Sequence, residues 1–399
     1  MRILICASDV PLPPTTTGYR RQLMGLVPEL GKHHDVRFIG YRMPDQRTNP
    51  TAETEWRIIP YMKPTLVGNL SDLTLAMALQ RPARAERLVR GLRPALREEL
   101  ERFQPDVVHV GPGKLAGLLC DLRGRPCVLN LMDTWHLNVE ARALTATPVK
   151  APLFRFDAKR IMKFEALRYR GWDRVVVSNS GDLETIRALD ATLPFTIIPI
   201  GFDAGAYAPD ETAEVDPDRI IFHGAMSYAP NVVAVEYLAL QILPLVRAAR
   251  PTAHLVLAGR DPSPRVLALG DLDGVTVTGE VDDMRAELVR SRVWVGPFQT
   301  GTGIKTKLLE AMAADVPCVV TPLGARGVDA VAGKELLVGE TAEELADHVL
   351  RVLADDGIAR RLGHAGGEFV RPRYDWPAVA RAYEQLYGTV IEEKAAVRS

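Results

Sequence analysis

The feature that most constrains this chain is an alternation between short, β-branched apolar runs and longer segments with helical periodicity. In the first half, the strand-like runs are Ile3–Ala7, Val36–Tyr41, Arg57–Pro60, Asp106–Val110, Pro126–Met132, Arg174–Ser178 and Phe195–Pro199. Buried strands that alternate with helices are typical of a mostly parallel sheet with helices on both faces. The sequence therefore predicts an α/β fold.

A polar, aperiodic segment with two prolines interrupts this pattern at residues 202–218 and is typical of a linker. The alternation then starts again, with strand-like runs at Arg219–His223, His254–Ala258, Gly274–Thr278, Val293–Gly296, Cys318–Thr321 and Glu335–Val338. We expect two doubly wound, Rossmann-like domains, residues 1–201 and 219–375, and a C-terminal helix at 376–399. Because ligands bind beyond the carboxyl ends of parallel strands, the expected site is the cleft across which the domains face each other.

The composition of the 399-residue chain excludes several classes of protein. With 49 Lys and Arg against 50 Asp and Glu, the net charge of -1 lacks the basic excess of a protein that grips nucleic acid. The four cysteines form no metal-binding or redox motif, which favours thiols in a reducing cytoplasm over disulfides or zinc. No segment has the pattern of a signal peptide or a membrane span. We therefore expect a cytoplasmic protein without a metal site.

A glycine loop followed by a helix is the most informative local feature. Gly301 and Gly303 follow a predicted strand, and Lys305 and Lys307 fall in the expected first turn of a helix that begins near Gly303. Cations oppose the positive pole of a helix dipole, so two lysines there favour a di-anionic ligand. Glu310 lies further along the same helix, where a carboxylate can accept hydrogen bonds from sugar hydroxyls. The alternative is that the lysines are solvated and Glu310 pairs with Lys307.

Several first-half residues lie where predicted strands end. Asp133 follows one strand and His136 comes shortly after it, a combination suited to sugar binding or acid–base chemistry; a turn-capping role for Asp133 is the alternative. The loop before Gly18, Tyr19 and Arg20 either borders the cleft or is an ordinary strand-to-helix loop. His109 and His223 each end a strand, where a structural role is the more common one.

Two basic amphipathic stretches also need an interpretation. Arg81–Arg102 holds seven Arg against four Glu, and Arg155–Arg174 holds seven Lys or Arg against three acids. Either stretch could contact an anionic membrane surface, whereas a solvated helix face is the more common explanation.

Taken together, these residues resemble the GT-B glycosyltransferases, specifically the large retaining branch of group 1, or family 4-like, enzymes. The resemblance is best over Ile220–Gly339. It rests on Phe222–Met226 with Pro230-Asn231, Leu257–Gly259, Val277–Asp282, Gly301–Ala313, Cys318–Thr321 and Gly324–Gly327.

This resemblance implies that the second half binds a nucleoside-diphosphate sugar and the first half binds the acceptor. It also implies that the C-terminal helix from Trp376 onward crosses back onto the first domain. By resemblance, Glu310 hydrogen-bonds the ribose, the loop Gly301–Ile304 holds the diphosphate, and Glu280 and Val281 lie near the nucleobase. The implied donor-binding residues are Gly224, Arg260, Glu280, Val281, Gly301, Thr302, Gly303, Ile304 and Glu310. The implied acceptor or cleft residues are Gly18, Tyr19, Arg20, His109 and His136.

The sequence departs from the family pattern at three places. The first of two usual glutamates falls on Thr302, and the usual Arg and Lys after the first strand of the second half fall on Ala225 and Pro230. We infer that Lys305 and Lys307 take over the charge role, with Arg260 as a possible third cation. Asp133 stands where the family usually has a catalytic histidine.

The sequence thus predicts metal-independent transfer of a hexosyl group, with retention, to a small-molecule, glycan or lipid-linked hydroxyl. Asp133, Lys305 and Lys307 are the catalytic candidates, and the nucleotide sugar is a co-substrate, so no cofactor is expected. The alternatives are another GT-B enzyme, such as a nucleotide-sugar epimerase or a sugar phosphorylase, and an inactive nucleotide-sugar-binding protein.

Overall fold

The chain divides into two compact units, each described here by itself. The structure is a computed structural model that describes residues 1–12, 18–43, 55–60, 82–132, 134–145, 147–148, 150–210, 212–301 and 303–397. The first unit comprises residues 1–201 and 376–399, and the second comprises residues 202–375. Asp133, Thr302 and residues 13–17 of the loop before Gly18 lie outside the described residues.

The first unit is built on a parallel sheet with the strand order β3-β2-β1-β4-β5-β6-β7. Its strands are β1 (Arg2–Ala7), β2 (Asp35–Arg42), β3 (Glu55–Pro60), β4 (Val107–Gly111), β5 (Cys127–Asn130), β6 (Arg174–Val177) and β7 (Phe195–Ile197). Its helices are α1 (Gly18–Gly31), α2 (Ala83–Arg102), α3 (Trp135–Thr145), α4 (Ala151–Arg168) and α5 (Ser180–Leu189), with a 3-10 helix at Gly113–Asp121.

Strand β1 shows why the apolar runs of the first unit lack a polar face. Leu4 and Cys6 pack in one core cluster, while Ile3 and Ile5 pack in a second cluster with the C-terminal helix. Successive side chains point to opposite faces of a strand, so a sheet covered on both faces needs apolar residues at every position. The doubly wound prediction is confirmed for this sheet.

The second unit contains a parallel sheet with the strand order β10-β9-β8-β11-β12-β13. Its strands are β8 (Asp216–His223), β9 (His254–Ala258), β10 (Val275–Gly279), β11 (Ser291–Gly296), β12 (Cys318–Val320) and β13 (Leu337–Val338). Its helices are α6 (Ala229–Tyr237), α7 (Leu243–Ala249), α8 (Pro264–Leu267), α9 (Met284–Val289), α10 (Thr306–Ala313), α11 (Pro322–Ala325), α12 (Ala342–Ala354) and α13 (Asp356–Tyr374), with a π-helical turn at Leu238–Ile242 joining α6 to α7.

Part of the predicted linker belongs to the core of the second unit. The backbone N–H of Phe202 donates a hydrogen bond of 2.9 Å to the carbonyl oxygen of Tyr374, and the side chains of Phe202 and Ala204 are buried. Strand β8 begins at Asp216, three residues before the predicted start. The segment is polar on average, but its first residues carry apolar side chains that the adjacent core accepts.

The C-terminal helix α14 (Trp376–Ala396) packs in the first unit, which confirms the predicted return of the chain. The indole of Trp376 fills space left by two glycines. A Cβ atom on Gly25 would lie 2.0 Å from that ring, and a Cβ atom on Gly201 would lie 2.2 Å from it. Neither position can therefore take a larger side chain while Trp376 stays in place.

The expectation that no segment has the pattern of a membrane span is wrong in one respect: among the described helices, Ala229–Ala249 is long and apolar enough to cross a membrane by length and composition. Many of its apolar side chains, including Val232, Val235, Leu238 and Val246, belong to the core of the second unit. A buried core helix explains this hydropathy.

Candidate functional site

In the first unit, the side chains predicted to border a cleft pack in the interior. Helix α1 begins at Gly18, as expected, but Tyr19 is 6% exposed and Arg20 is 2% exposed. The guanidinium Nη2 of Arg20 lies 3.9 Å from Oδ1 of Asp9, which follows β1. In this structure both side chains serve packing and ion pairing, and their predicted contact with an acceptor stays a prediction.

His109 lies in the middle of the first-unit sheet and contacts the C-terminal helix. Its Nδ1 is 2.6 Å from the hydroxyl oxygen of Tyr387, and the neighbouring Asn130 donates a hydrogen bond of 2.8 Å to Tyr383. Complete burial lowers the pKa of His109 to about 3, because the interior disfavours the charged imidazolium. The neutral, buried His109 stabilises the packing of α14 on the sheet, which agrees with the structural role expected for it.

His136 forms a buried pair with Glu165 at the start of α3. Nδ1 of His136 contacts one carboxylate oxygen of Glu165, and the other oxygen accepts hydrogen bonds from the Trp135 backbone N–H at 3.0 Å and the Tyr169 hydroxyl at 3.1 Å. Glu165 therefore stabilises the start of α3, just after residue 133, through these hydrogen bonds. Glu165 lies four residues after the buried Ile161, so both side chains are on the core face of α4. Sequence analysis did not use this spacing.

In the second unit, the glycine loop and α10 form the candidate donor site. Helix α10 begins at Thr306, so the prediction of a helix start near Gly303 is wrong by three residues. Gly301 and Gly303 adopt φ angles of 110° and 69°, which are not helical and extend the loop. Lys305 consequently occupies the N-cap position, and of the two lysines only Lys307 lies in the first turn.

Lys305 is a buried cation, 7% exposed. Its Nζ donates a hydrogen bond of 2.9 Å to the Gly303 carbonyl oxygen and lies 5.7 Å from the centre of the Phe298 ring. Burial, followed by the charges of Lys307 and Arg326, lowers the pKa of Lys305 to about 8. Positive charges are thus concentrated where the loop meets the helix.

Lys307 reaches from α10 to the loop after β8. Its Nζ lies 5.5 Å from the centre of the Phe298 ring, on which Lys305 also lies. A Cβ atom on Gly224 would be 2.7 Å from Cε of Lys307 and 3.6 Å from its Nζ. Gly224 has a φ of 146°, a conformation that favours glycine, and the absent side chain leaves room for the lysine. A cation from α10 therefore lies beside the loop that carries the uncharged Ala225 and leads to Pro230 in the first turn of α6.

Further loops converge on the same point. A Cβ atom on Gly259, after β9, would lie 1.9 Å from the carbonyl oxygen of Gly224, and one on Gly301 would lie 3.4 Å from Pro230. Asn231, 1% exposed, donates a hydrogen bond of 2.8 Å to the Ala225 carbonyl oxygen. Its Oδ1 finds no hydrogen-bond partner among the described residues, and its amide lies next to Gly224, as Lys307 does.

Glu310 is held by a histidine from the adjacent strand β8. Nε2 of His223 lies 2.8 Å from Oε2 of Glu310, and the indole Nε1–H of Trp294 donates a hydrogen bond of 3.0 Å to Nδ1 of His223. The alternative, in which Glu310 pairs only with Lys307, therefore leaves out the contact between Glu310 and His223. The side chain of Glu310 is 18% exposed, so part of the carboxylate reaches the surface of the site.

The match to a known family falls on this unit. Residues 217–355 match the model of the family Glycosyl transferases group 1. The matched residues make up most of the second unit, which is therefore similar to a group 1 glycosyl transferase domain. The chain is 29% identical over 206 residues to a GDP-mannose-dependent alpha-(1-6)-phosphatidylinositol monomannoside mannosyltransferase of Mycobacterium tuberculosis, a match that covers 46% of this chain and 53% of that protein. The chain thus spans about half the length of the curated relatives it matches.

Solved structures show that the whole chain has the GT-B fold, as the sequence predicted. The sucrose-phosphate synthase of Thermosynechococcus elongatus aligns with a TM-score of 0.70 at 17% identity, covering 98% of this chain and 100% of that one. Anabaena HepE in complex with UDP-glucose aligns with a TM-score of 0.60 at 13% identity, with the same coverage.

Within the second unit, the structure brings together Gly224, Gly301, Gly303, Lys305 and Lys307, with Glu310 on the next turn. Ile304, also predicted for the donor site, is partly buried against the core. The donor residues predicted from β9 and β10 are more peripheral: the side chain of Arg260 is 67% exposed, Glu280 is exposed and Val281 is partly buried. Their roles stay predictions.

The described residues of both units hold no group of three His, Cys, Asp or Glu side chains that could bind a metal ion. Sequence analysis treated His223 as a structural residue, used Asn231 only as part of the family resemblance and assigned Trp294 no role in the site. The only available signal was the position of His223 at a strand end directly before Gly224.

Proposed function

We propose that this protein transfers a hexosyl group from a nucleoside-diphosphate sugar to an acceptor hydroxyl. The observation that carries the proposal is the meeting of Lys305 and Lys307 at the glycine loop and the N-terminus of α10. Both Nζ atoms lie within 6 Å of the Phe298 ring centre, at 5.7 and 5.5 Å. Two cations and a helix N-terminus repel one another electrostatically, and a diphosphate relieves that repulsion.

The same groups suit the chemistry of glycosyl transfer. As the glycosidic bond to the diphosphate breaks, negative charge grows on the departing oxygens. Cations and backbone N–H groups that are already in place stabilise this charge without reorganising. Lys305 and Lys307 supply the charge in this scheme, and Asp133 is proposed to orient a sugar or acceptor hydroxyl.

Retention of configuration and independence from a metal ion are further parts of the proposal. Retention rests on the resemblance to the retaining branch of the family. Metal independence rests on the lysines, which would provide the positive charge that a divalent cation gives other transferases. No cofactor beyond the sugar nucleotide is required by this scheme.

For the donor, GDP-mannose and UDP-glucose are the first compounds to test. The mycobacterial relative is GDP-mannose-dependent by name, and Anabaena HepE was solved with UDP-glucose. We propose a glycan, small-molecule or lipid-linked acceptor and no nucleic-acid partner. A reducing, cytoplasmic location is consistent with the four cysteines, all of which are free thiols.

Peripheral contact with an anionic membrane is proposed for the exposed face of α4. Leu153, Phe156 and Leu167 are 66%, 58% and 63% exposed there. The exposed Lys159 and Lys163 lie on the same helix, at spacings that place them beside this apolar stripe. Apolar side chains next to cations are typical of helices that lie in the membrane interface.

The decisive experiment supplies each sugar nucleotide with and without candidate acceptors and follows release of the nucleoside diphosphate. We expect acceptor-dependent release that persists in EDTA, and a product whose anomeric configuration by NMR equals that of the donor. Release of a free epimer without acceptor would identify an epimerase, and a requirement for inorganic phosphate would identify a phosphorylase. Binding without turnover would leave a nucleotide-sugar-binding protein.

A further inference from the structure

Three side chains from three elements form a hydrogen-bonded chain beneath the candidate donor site. Trp294 on β11 is fully buried, His223 at the end of β8 is 3% exposed, and Glu310 on α10 reaches the surface. The indole-to-imidazole hydrogen bond is 3.0 Å, and the imidazole-to-carboxylate distance is 2.8 Å.

The indole decides which nitrogen of His223 carries the proton. An indole N–H can only donate, so Nδ1 of His223 must accept and present its lone pair to Trp294. In the neutral imidazole the proton then resides on Nε2, which donates to Oε2 of Glu310. Trp294 therefore makes His223 a donor directed at the carboxylate.

We propose that His223 is a positioning residue, which holds the Glu310 carboxylate in the orientation that accepts hydrogen bonds from the ribose of the donor. This inference rests on the proposed function and adds to it a reason why Glu310 can select ribose. A carboxylate has lone pairs on two oxygens, so it can accept from His223 and from ribose hydroxyls at once. Fixing the carboxylate beforehand reduces the rotamer freedom lost when the nucleotide binds.

A purely structural role for His223 makes a different prediction. The imidazole also contacts the Trp294 ring edge-on, with ring centres 6.1 Å apart. A phenylalanine would keep this aromatic packing and lose only the two polar contacts. Packing and positioning can therefore be separated by substitution.

The test measures the affinity of GDP and UDP, each compared with its 2′,3′-dideoxy analogue, by calorimetry. In the unsubstituted protein we expect the analogue of the preferred nucleotide to bind about tenfold to a hundredfold more weakly, since hydrogen bonds to a charged group are lost. In His223→Phe the ratio of the two dissociation constants, that of the dideoxy analogue over that of the nucleotide, should fall to within about threefold of unity. The affinity for the dideoxy analogue itself should change little. Glu310→Gln should lose the discrimination in the same way.

Two further variants keep the test decisive if His223→Phe unfolds. His223→Gln places an amide N–H near the position of Nε2 and should retain most of the discrimination. Trp294→Phe removes the indole N–H that fixes the tautomer of His223. The ratio of dissociation constants should then lie between that of the unsubstituted protein and that of His223→Phe. Thermal unfolding of each variant checks that the fold persists.

The outcomes separate the two claims. If no nucleoside diphosphate binds the unsubstituted protein, the proposed function fails and this inference fails with it. If the nucleotides bind with ribose discrimination and His223→Phe retains that discrimination, the positioning role alone is overturned.

Discussion

The ammonium group of Lys305 donates a hydrogen bond of 2.9 Å to the carbonyl oxygen of Gly303, two residues earlier in the chain. This bond fixes a buried cation in the loop that precedes α10, where Lys307 and Arg326 add further positive charge. A lysine in such surroundings destabilises the unliganded fold, because burial and like charges both oppose its protonation. Binding of an anion would offset this cost.

Replacing Lys305 should therefore stabilise the unliganded protein. The folded-state pKa of about 8 lies below the ordinary lysine value, so at neutral pH the protonated side chain costs stability. The cost declines as pH rises from about 8 and is gone above the unfolded-state pKa. We expect Lys305→Met to raise the free energy of unfolding at pH 7 by up to about 3 kcal/mol, with a smaller gain near pH 9.5. Thermal unfolding at both pH values measures this. The exposed Lys163 is the control, and an equal effect of Lys163→Met would contradict the explanation.

Nucleotide affinity should depend on pH through the same group. A bound diphosphate favours the protonated lysine and raises its pKa, so binding takes up a proton when the free amine is neutral. We expect affinity for GDP or UDP to be constant between about pH 7 and 8 and then to fall by up to tenfold per pH unit. Calorimetry in buffers of different ionisation enthalpy reports the proton uptake. Lys305→Arg should bind without the decline, and a decline that persists in Lys305→Met would assign the titration to another group.

Gly224→Ala tests whether Lys307 must lie against the loop after β8. The new Cβ atom would stand 2.7 Å from Cε of Lys307 and displace the ammonium group, so we expect nucleotide affinity to fall by about tenfold or more. The matched control is Gly333→Ala, since Gly333 also has a positive φ, of 83°, and a Cβ atom there meets nothing within 4 Å. Equal losses of affinity in both variants would show that backbone strain, and not Lys307, is responsible.

The contact between His109 and Tyr387 should stabilise the docking of the C-terminal helix. Tyr387→Phe leaves Nδ1 of the buried His109 without its hydroxyl partner, which should lower the free energy of unfolding by about 1–3 kcal/mol. A double-mutant cycle with His109→Leu isolates the interaction, and we expect a coupling of about 1 kcal/mol. Additive effects of the two substitutions would mean that the hydroxyl and the imidazole do not interact energetically.

Membrane contact through α4 predicts selective loss of vesicle binding. The double variant Phe156→Ser with Lys159→Glu should reduce binding to phosphatidylglycerol-rich vesicles by roughly tenfold or more, since both an apolar anchor and a cation are lost. Co-sedimentation measures this, with phosphatidylcholine vesicles as the reference. Leu267→Ser is the matched control, because Leu267 is 53% exposed in the other unit. If the double variant binds these vesicles as well as the unsubstituted protein does, the proposed membrane contact through α4 is wrong.

Local sequence patterns were enough to predict the strands, most of the helices and the glycine loop of the candidate donor site. Apolar runs such as Ile3–Ala7 specify buried parallel strands because every position faces a core, and the glycines before Lys305 specify a loop that a helix follows. These are local properties, set by side-chain periodicity and backbone freedom within about ten residues. The helix start was misplaced because Gly303 and Lys305 carry no strong capping signal, so loop geometry decided it.

Contacts between side chains that are distant in the sequence depend on how the elements pack together. Along the chain, His223 is 71 residues from Trp294 and 87 residues from Glu310. The three side chains come together because β8 lies next to β11 in the sheet. The pairing of His136 with Glu165 and the burial of Tyr19 and Arg20 likewise depend on how helices pack on that framework. Strand order is fixed by the total free energy of the packed core, and periodicity within one segment carries no information about its neighbour in space.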